Sequence, residues 1–236
     1  MKKITTILGA RPQFIKAAAV SRKLAATGKL NEMIVHTGQH FDRNMSEIFF
    51  KQMHIPKPAY NLGIHSLPHA AMTGRMMEKI EKILIREKPD YVLVYGDTNS
   101  TLAGALAAKK LHIHTAHVEA GLRSFNMKMP EEINRIIADR ICDTLFCPTD
   151  SAVVNLSREG IDSHILRTGD VMLDAALFFS NLAKKPDVIL PDEYVLTTLH
   201  RAENTGDIQR LRSIFSAFED IVRKMPVVLP LHPRNR

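Results

Sequence analysis

Three carboxylates stand where an apolar run gives way to a loop or a helix begins. Asp97 ends Tyr91-Val-Leu-Val-Tyr-Gly-Asp97, Glu119 ends His114-Thr-Ala-His-Val-Glu119, and Glu131 lies in Pro130-Glu131-Glu132 after a loop containing Gly and Met. Carboxylates gathered in one apolar crevice raise each other's pKa by desolvation and like charge, by up to ~3–5 units when fully buried. A group of reference value near ~4.3 then approaches neutrality, where it can act as a general acid or base. Each has a plainer reading taken singly: Asp97 and Glu119 could close a turn or cap a helix, and Glu131, in a first helical turn, could serve helix capping. Two cationic candidates complement them. Arg11 sits in the loop after the first apolar run, suited to a phosphate at a helix N-terminus, with a surface salt bridge as the alternative. His200 ends an apolar run and opens the polar loop Arg201-Ala-Glu-Asn-Thr205.

Other chemistry is missing from the pattern. No G-x-G-x-x-G and no G-x-x-x-x-G-K-[ST] occurs, so dinucleotide redox and P-loop phosphoryl transfer lack their usual phosphate cradles. His112, His114 and His117 fall in or beside one strand at i, i+2 and i+5, which is not a zinc spacing, and no metal site is expected. Cys142 and Cys147, in a lone C-x4-C, lack the second half of a zinc site and read as reduced core residues.

The elements that would position the carboxylates follow from periodicity. Apolar runs rich in β-branched residues at Ile4–Leu8, Met33–Val35, Tyr91–Tyr95, Thr115–Glu119, Thr144–Cys147, His164–Leu166, Tyr194–Leu199 and Val227–Leu231 alternate with helical patterns. Eight strands separated by helices predict an α/β protein with a doubly wound, Rossmann-like parallel sheet. Ligands of such sheets bind at the carboxyl ends of the strands, where Asp97, Glu119, Arg11 and His200 all stand. Met45, Ile48, Phe49 and Gln52, then Met72, Met76, Ile80, Ile83 and Leu84, recur at helical spacing, so the methionine stripe is core. Gly169–Pro191 holds a helix, Val171–Leu182, and then connector-like composition. The predicted division is residues 1–187 and 188–236, the second being one βαβ unit with helix Asp207–Lys224.

The 236 residues carry 32 Lys+Arg against 25 Asp+Glu, net +7, with 45% hydrophobic residues, which excludes a disordered chain. The basic residues are scattered without a run of five, which argues against a nucleic-acid partner and suits a small anionic ligand. Arg11, Pro12 and Lys16 interrupt the signal-like N-terminus, and no segment approaches the ~18 apolar residues of a membrane span, so a cytoplasmic protein is expected.

Six motifs together resemble the non-hydrolysing UDP-N-acetylglucosamine 2-epimerases. They are Gly9-Ala-Arg-Pro-Gln-Phe-Ile-Lys16, Thr37-Gly-Gln-His40, Gly96-Asp-Thr98, His117-Val-Glu-Ala-Gly-Leu-Arg123, Pro130-Glu-Glu-Ile-Asn-Arg135 and His200-Arg-Ala-Glu-Asn204. The resemblance implies two facing Rossmann-like domains of GT-B type and reversible 2-epimerisation of a UDP-2-acetamido sugar through elimination and re-addition of UDP. It implies no NAD or other cofactor, and a homodimer is expected. It assigns catalysis to Asp97, Glu119, Glu131 and His200, substrate binding to Arg11, Arg135, Glu203 and Asn204, and, in some members, an activating UDP-sugar to Gln39, His40 and Arg75. The best-known branch reads G-T-R-P-E and G-D-T-T where this chain has Gly9-Ala-Arg-Pro-Gln13 and Asp97-Thr-Asn-Ser100. The Ser124–Met129 loop is more similar to the branch acting on UDP-2,3-diacetamido glucuronates. Family members continue past Arg236, so the second domain is expected to be incomplete. A GT-B glycosyltransferase and an inactive remnant are the rival readings.

Overall fold

The computed structural model describes residues 1–39, 47–199, 204 and 206–231, with residues 47 and 48 described by backbone alone. Its chain contacts divide into two units, 1–183 and 184–236.

In the first unit, β1 (Lys2–Leu8), β2 (Leu30–His36), β3 (Tyr60–Asn61), β4 (Tyr91–Tyr95), β5 (His114–Val118), β6 (Thr144–Cys147) and β7 (Ile165–Arg167) form one sheet in the order β3-β2-β1-β4-β5-β6-β7. Every pairing is parallel. Alternate residues of each strand serve opposite faces, and both faces are apolar, the condition for a sheet covered on each side. Ile7, Val92 and Val94 pack with the stripe of Met72, Met76 and Ile80, whereas Leu8, Leu93 and Tyr95 pack with Phe14, Ala17 and Ala18. The helices divide accordingly. α1 (Arg11–Thr27) packs with α2 (Glu47–Gln52) and α7 (Val171–Ser180), while α4 (Asn99–Lys110) packs with both α3 (His69–Glu87) and α5 (Pro130–Ile141). α6 (Asp150–Arg158) joins β6 to β7. The sheet is therefore doubly wound. Its order reverses between β1 and β4, the point at which such sheets open a crevice beyond their strand ends.

The second unit contains β8 (Val195–Leu196), α8 (Ile208–Val222) and β9 (Val227–Val228), the two strands parallel. Asp207 caps α8, accepting from the amides of Gln209 at 2.9 Å and Arg210 at 3.1 Å.

Several boundaries differ from the sequence expectation. β3 has no counterpart in it, since two residues beyond Pro56 and Pro58 carry no periodic signal. β5 ends at Val118 rather than Glu119, because Glu119 turns to φ 72° and leaves the extended region. β8 and β9 are two residues each where Tyr194–Leu199 and Val227–Leu231 were expected, and α7 ends at Ser180 rather than Leu182. Met45 lies outside the described residues.

Candidate active site

The turn after β1 is built first. Gln13, in the first turn of α1, accepts from the amides of Gly9 at 2.8 Å and Ala10 at 3.0 Å, and its carboxamide donates to the Tyr95 carbonyl at 2.8 Å and the Thr101 hydroxyl at 3.1 Å. One side chain thus locks the end of β1 to the end of β4 across the switch point. Gly9 is required there, since a Cβ would lie 2.0 Å from Thr37 Oγ1 and 2.1 Å from Ser100 Oγ. Those two hydroxyls are 2.8 Å apart, and Ser100 donates on to Gln39 at 3.0 Å.

Above this turn lies a cleft of about 220 Å³ whose wall includes Ala10, Gln39, His69, Asp97, Asn99, Glu131 and Asn134. Larger hollows of about 470 and 510 Å³, beside His36 and between α1 and α7, hold no comparable group of acids. The cleft brings Asp97 and Glu131 together, and with them Gln39.

Asp97 is held from two directions. Arg135 of α5 pairs with its carboxylate and reaches Glu132 at 2.9 Å, while Asn134 donates to its backbone carbonyl at 2.9 Å. Thr98, not Asp97, caps α4, accepting from the Thr101 amide, so the helix-cap reading of Asp97 is set aside. Glu119 pairs with Lys16 of α1, both side chains largely buried. A Cβ on Gly96, itself at φ 60°, would meet Lys16 Nζ at 3.3 Å, so Lys16 lies between the β4 and β5 turns. Glu119, with φ 72°, holds an unfavourable backbone conformation for a residue with a side chain, of the kind that clusters at functional sites. Glu119 is not among the residues lining the cleft, so the structure brings two of the three expected carboxylates to it, and Asp97 and Glu119 each arrive with a cation.

Glu131 is the third. It sits in the first turn of α5, whose N-cap Met129 contributes no side-chain bond. Glu131 makes no cap bond of its own and no ion pair with any described residue, so what the capping reading retains is its place in the first turn, beside the positive end of the α5 dipole. Capping-like work falls to its neighbour. Buried Glu132 accepts from the amides of Ser124 and Phe125 and from the Ser124 hydroxyl, and these bonds with Arg135 outweigh its burial and hold it below the usual carboxylate range.

Arg135 is turned to Asp97 and Glu132, Arg11 is exposed at the start of α1, and Arg75 is exposed on α3 outside the cleft lining. Asn204 is described; His40, His200 and Glu203 lie outside the described residues. Among the described residues no group of three His, Cys, Asp or Glu is arranged to hold a metal, and no helix is long and apolar enough to cross a membrane. Cys142 and Cys147 are free thiols, Cys147 buried and Cys142 partly so.

Sequence reasoning missed Lys16, His69 and His117. Lys16 was visible as a lysine among alanines on the face of α1 that must pack. Its partner was not, because the pairing needs the strand order. His69 follows Pro68 with no local cue. It lies 3.2 Å from the Asn99 amide nitrogen, and Asn99 in turn accepts from Asn134 at 3.3 Å.

Residues 22–236 match the UDP-N-acetylglucosamine 2-epimerase family. The chain is 60% identical over 99% of its length to the UDP-2,3-diacetamido-2,3-dideoxy-D-glucuronate 2-epimerase of Pseudomonas aeruginosa, covering 68% of that protein. It superposes with a TM-score of 0.90, at 45% identity and 99% coverage, on 67% of the Methanocaldococcus jannaschii UDP-GlcNAc 2-epimerase chain solved with UDP-GlcNAc and UDP. The Neisseria meningitidis UDP-GlcNAc 2-epimerase bound to UDP-GlcNAc gives a TM-score of 0.87 at 30% identity, with 98% of this chain and 66% of that one covered. The chain thus spans about two thirds of the length of these relatives.

Proposed function

Because the chain belongs to the UDP-N-acetylglucosamine 2-epimerase family, we propose that it carries the acid–base side of an isomerase that inverts C2 of a UDP-activated 2-acetamido sugar. A base takes the C2 proton as the C1–oxygen bond breaks, the electron pair leaves with the UDP β-phosphate, and a 2-acetamido glycal remains. UDP then adds back while a proton arrives at C2 from the other face. Atoms and charge balance without a redox cofactor.

The observation that carries this reading is the pairing in one cleft of Asp97, fixed by Arg135, with Glu131, which has no partner among the described residues. A fixed acid and an unpaired one at adjoining walls suit a proton taken on one side of a sugar and returned on the other. Glu119 and Lys16 supply a charged pair beneath the Gly96 turn. Arg11 and His200 are assigned to the diphosphate, and Arg135, Glu203 and Asn204 to the substrate. Arg135 does so while bridging Asp97. Gln39, His40 and Arg75 would serve an activating UDP-sugar in members that have that site. Gln39 lines the Asp97 cleft, so such an activator would touch the catalytic wall.

The 60% identity to the Pseudomonas aeruginosa protein favours a UDP-2,3-diacetamido uronate over UDP-GlcNAc as substrate. The resemblance further supports a cytoplasmic homodimer making precursors for a surface polysaccharide. Incubation with each UDP-sugar in D2O should place deuterium at C2 with no acceptor present. Transfer of the sugar to an acceptor without C2 exchange would overturn the epimerase reading in favour of a glycosyltransferase.

A further inference from the structure

His117 stands near the end of β5, in register with Val94 of β4. Its side chain is fully buried, Nε2 donates to the Gly96 carbonyl at 2.6 Å, and Nδ1 lies 2.7 Å from Asp139 Oδ1. Asp139 Oδ2 accepts from the Gly121 amide at 3.0 Å and from Arg123 at 2.7 Å, and Arg123 also grips Glu159. Burial alone would raise Asp139, but the bonds from His117 and Arg123 outweigh it and hold its carboxyl below the usual range. None of these residues lines the cleft.

We infer that His117 is a positioning residue for Asp97, acting by fixing the orientation of the Gly96–Asp97 peptide. The physical need comes from Gly96. With φ 60° and no side chain, it is the softest link in the turn, and its peptide plane could rotate at little cost. Its amide is bound to the Val118 carbonyl at 2.9 Å, and the remaining freedom is that of its carbonyl, which His117 takes. One residue on, Asn134 holds the Asp97 carbonyl and Arg135 the carboxylate. α5 therefore aims Asp97 twice: directly through Asn134 and Arg135, and indirectly through Asp139 and His117. A misplacement of about 1 Å at a catalytic group can cost ~10²-fold in rate, so a fixed peptide plane has kinetic value.

The inference rests on the epimerase reading only for its kinetic arm. His117→Phe keeps a buried ring and removes both donors, while His117→Gln keeps one donor and turns an oxygen towards the Asp139 carboxylate. In His117→Gln with Asp139→Asn, the new amide can donate to Gln while its oxygen retains Gly121 and Arg123. Asp139→Asn alone can donate to Nδ1 and leave the Nε2 bond to Gly96 in place.

Amide hydrogen exchange on the 236-residue chain reads the effect without any activity. Exchange at Gly96 and Thr98, whose amides donate to the Val118 carbonyl and the Thr101 hydroxyl, should speed up about tenfold or more in His117→Phe and His117→Gln, with β1 still protected, and should return towards normal in the double variant and in Asp139→Asn. In the epimerase assay the two single His117 variants should lose at least about tenfold in kcat, with KM within about twofold. Unchanged protection at Gly96 and Thr98 in either His117 variant would overturn the inference, and so would loss spread evenly over β1, β2 and β4. If the His117 variants do not fold, loss of protection at Gly96 and Thr98 in Asp139→Asn would overturn it. Absence of C2 exchange in the parent chain would count against the proposed function, with the exchange measurement still deciding the role of His117.

Discussion

Asp97, at the end of β4, and Glu131, at the start of α5, share one cleft but are supported in opposite ways. Arg135 and Asn134 bind Asp97, and the peptide preceding it is bound by His117. Glu131 has no such contact among the described residues, and the structural work of its helix start is done by Glu132 instead. The contrast separates two tasks usually merged under the name of a catalytic acid. A carboxylate clamped by a cation keeps a fixed direction, whereas an unclamped one keeps access to a proton. Adjacent residues of one motif, Glu131 and Glu132, divide between chemistry and architecture in the same way.

Replacing both members of the pair gives the largest expected effect and the sharpest test of the contrast. Asp97→Asn and Glu131→Gln should each cut C2 exchange by ~10²–10⁴-fold, the usual worth of a positioned acid or base. Only Asp97→Asn should also lower Tm, because it leaves Arg135 without one of its two carboxylates. A Glu131→Gln chain with near-normal rate and a lowered Tm would reverse the assignment and return Glu131 to a helix-start role. The next effect tests the clamp. Arg135→Ala should reduce kcat by about 10²-fold through loss of aim at Asp97. Steady-state kinetics showing a rise in KM alone would mean that Arg135 chiefly binds substrate.

Lys16 extends the comparison to Glu119, the other carboxylate with a cation. Lys16→Met removes the partner of a largely buried acid held at φ 72°, and breaking such a pair is more costly than never having built it. A fall in Tm of about 5 °C or more is expected in thermal denaturation, and Lys16→Met with Glu119→Gln should recover part of it. Additive losses in the double variant would show that the two side chains do not depend on each other.

The first unit was legible in the sequence to the extent that burial wrote it. Strands covered on both faces read as continuous apolar runs, and the stripe from Met72 to Leu84 is buried as its spacing requires. The switch point was readable too, because Gly9 and Gly96 punctuate the ends of β1 and β4. What could not be read were contacts created by strand order. Lys16 meets Glu119 only because α1 lies against a sheet in which β4 and β5 follow β1, and His117 looked ordinary because its two partners come from β4 and α5. β3 escaped for a simpler reason, since two residues on a sheet edge have no period to detect. In the second unit the pairing of β8 and β9 covers two residues each, and α8 buries no side chain. The apolar runs there were visible, but how many of their residues would pair was not.

Glu32 provides the smallest effect and a third kind of carboxylate: one with burial but neither a cation nor the cleft. It lies on β2, accepts from the Thr6 hydroxyl, and is pushed above the usual carboxylate range by burial. The folded chain therefore binds this proton more tightly than the unfolded chain does. Its stabilising contribution is full below the ordinary value of about 4.3 and is lost as pH rises from there through the raised value, after which nothing further is lost. Glu32→Gln keeps an acceptor for Thr6 and cannot ionise. Its Tm should match the parent near pH 4 and exceed it at pH 7 to 8 by about 2–4 °C for each kcal/mol recovered. A Tm difference that stays constant from pH 4 to 8 would mean that the acid is ionised and satisfied in the fold. The contrast drawn from Asp97 would then weaken, because a half-buried carboxylate would be stable here without the cation that Asp97 and Glu119 each have.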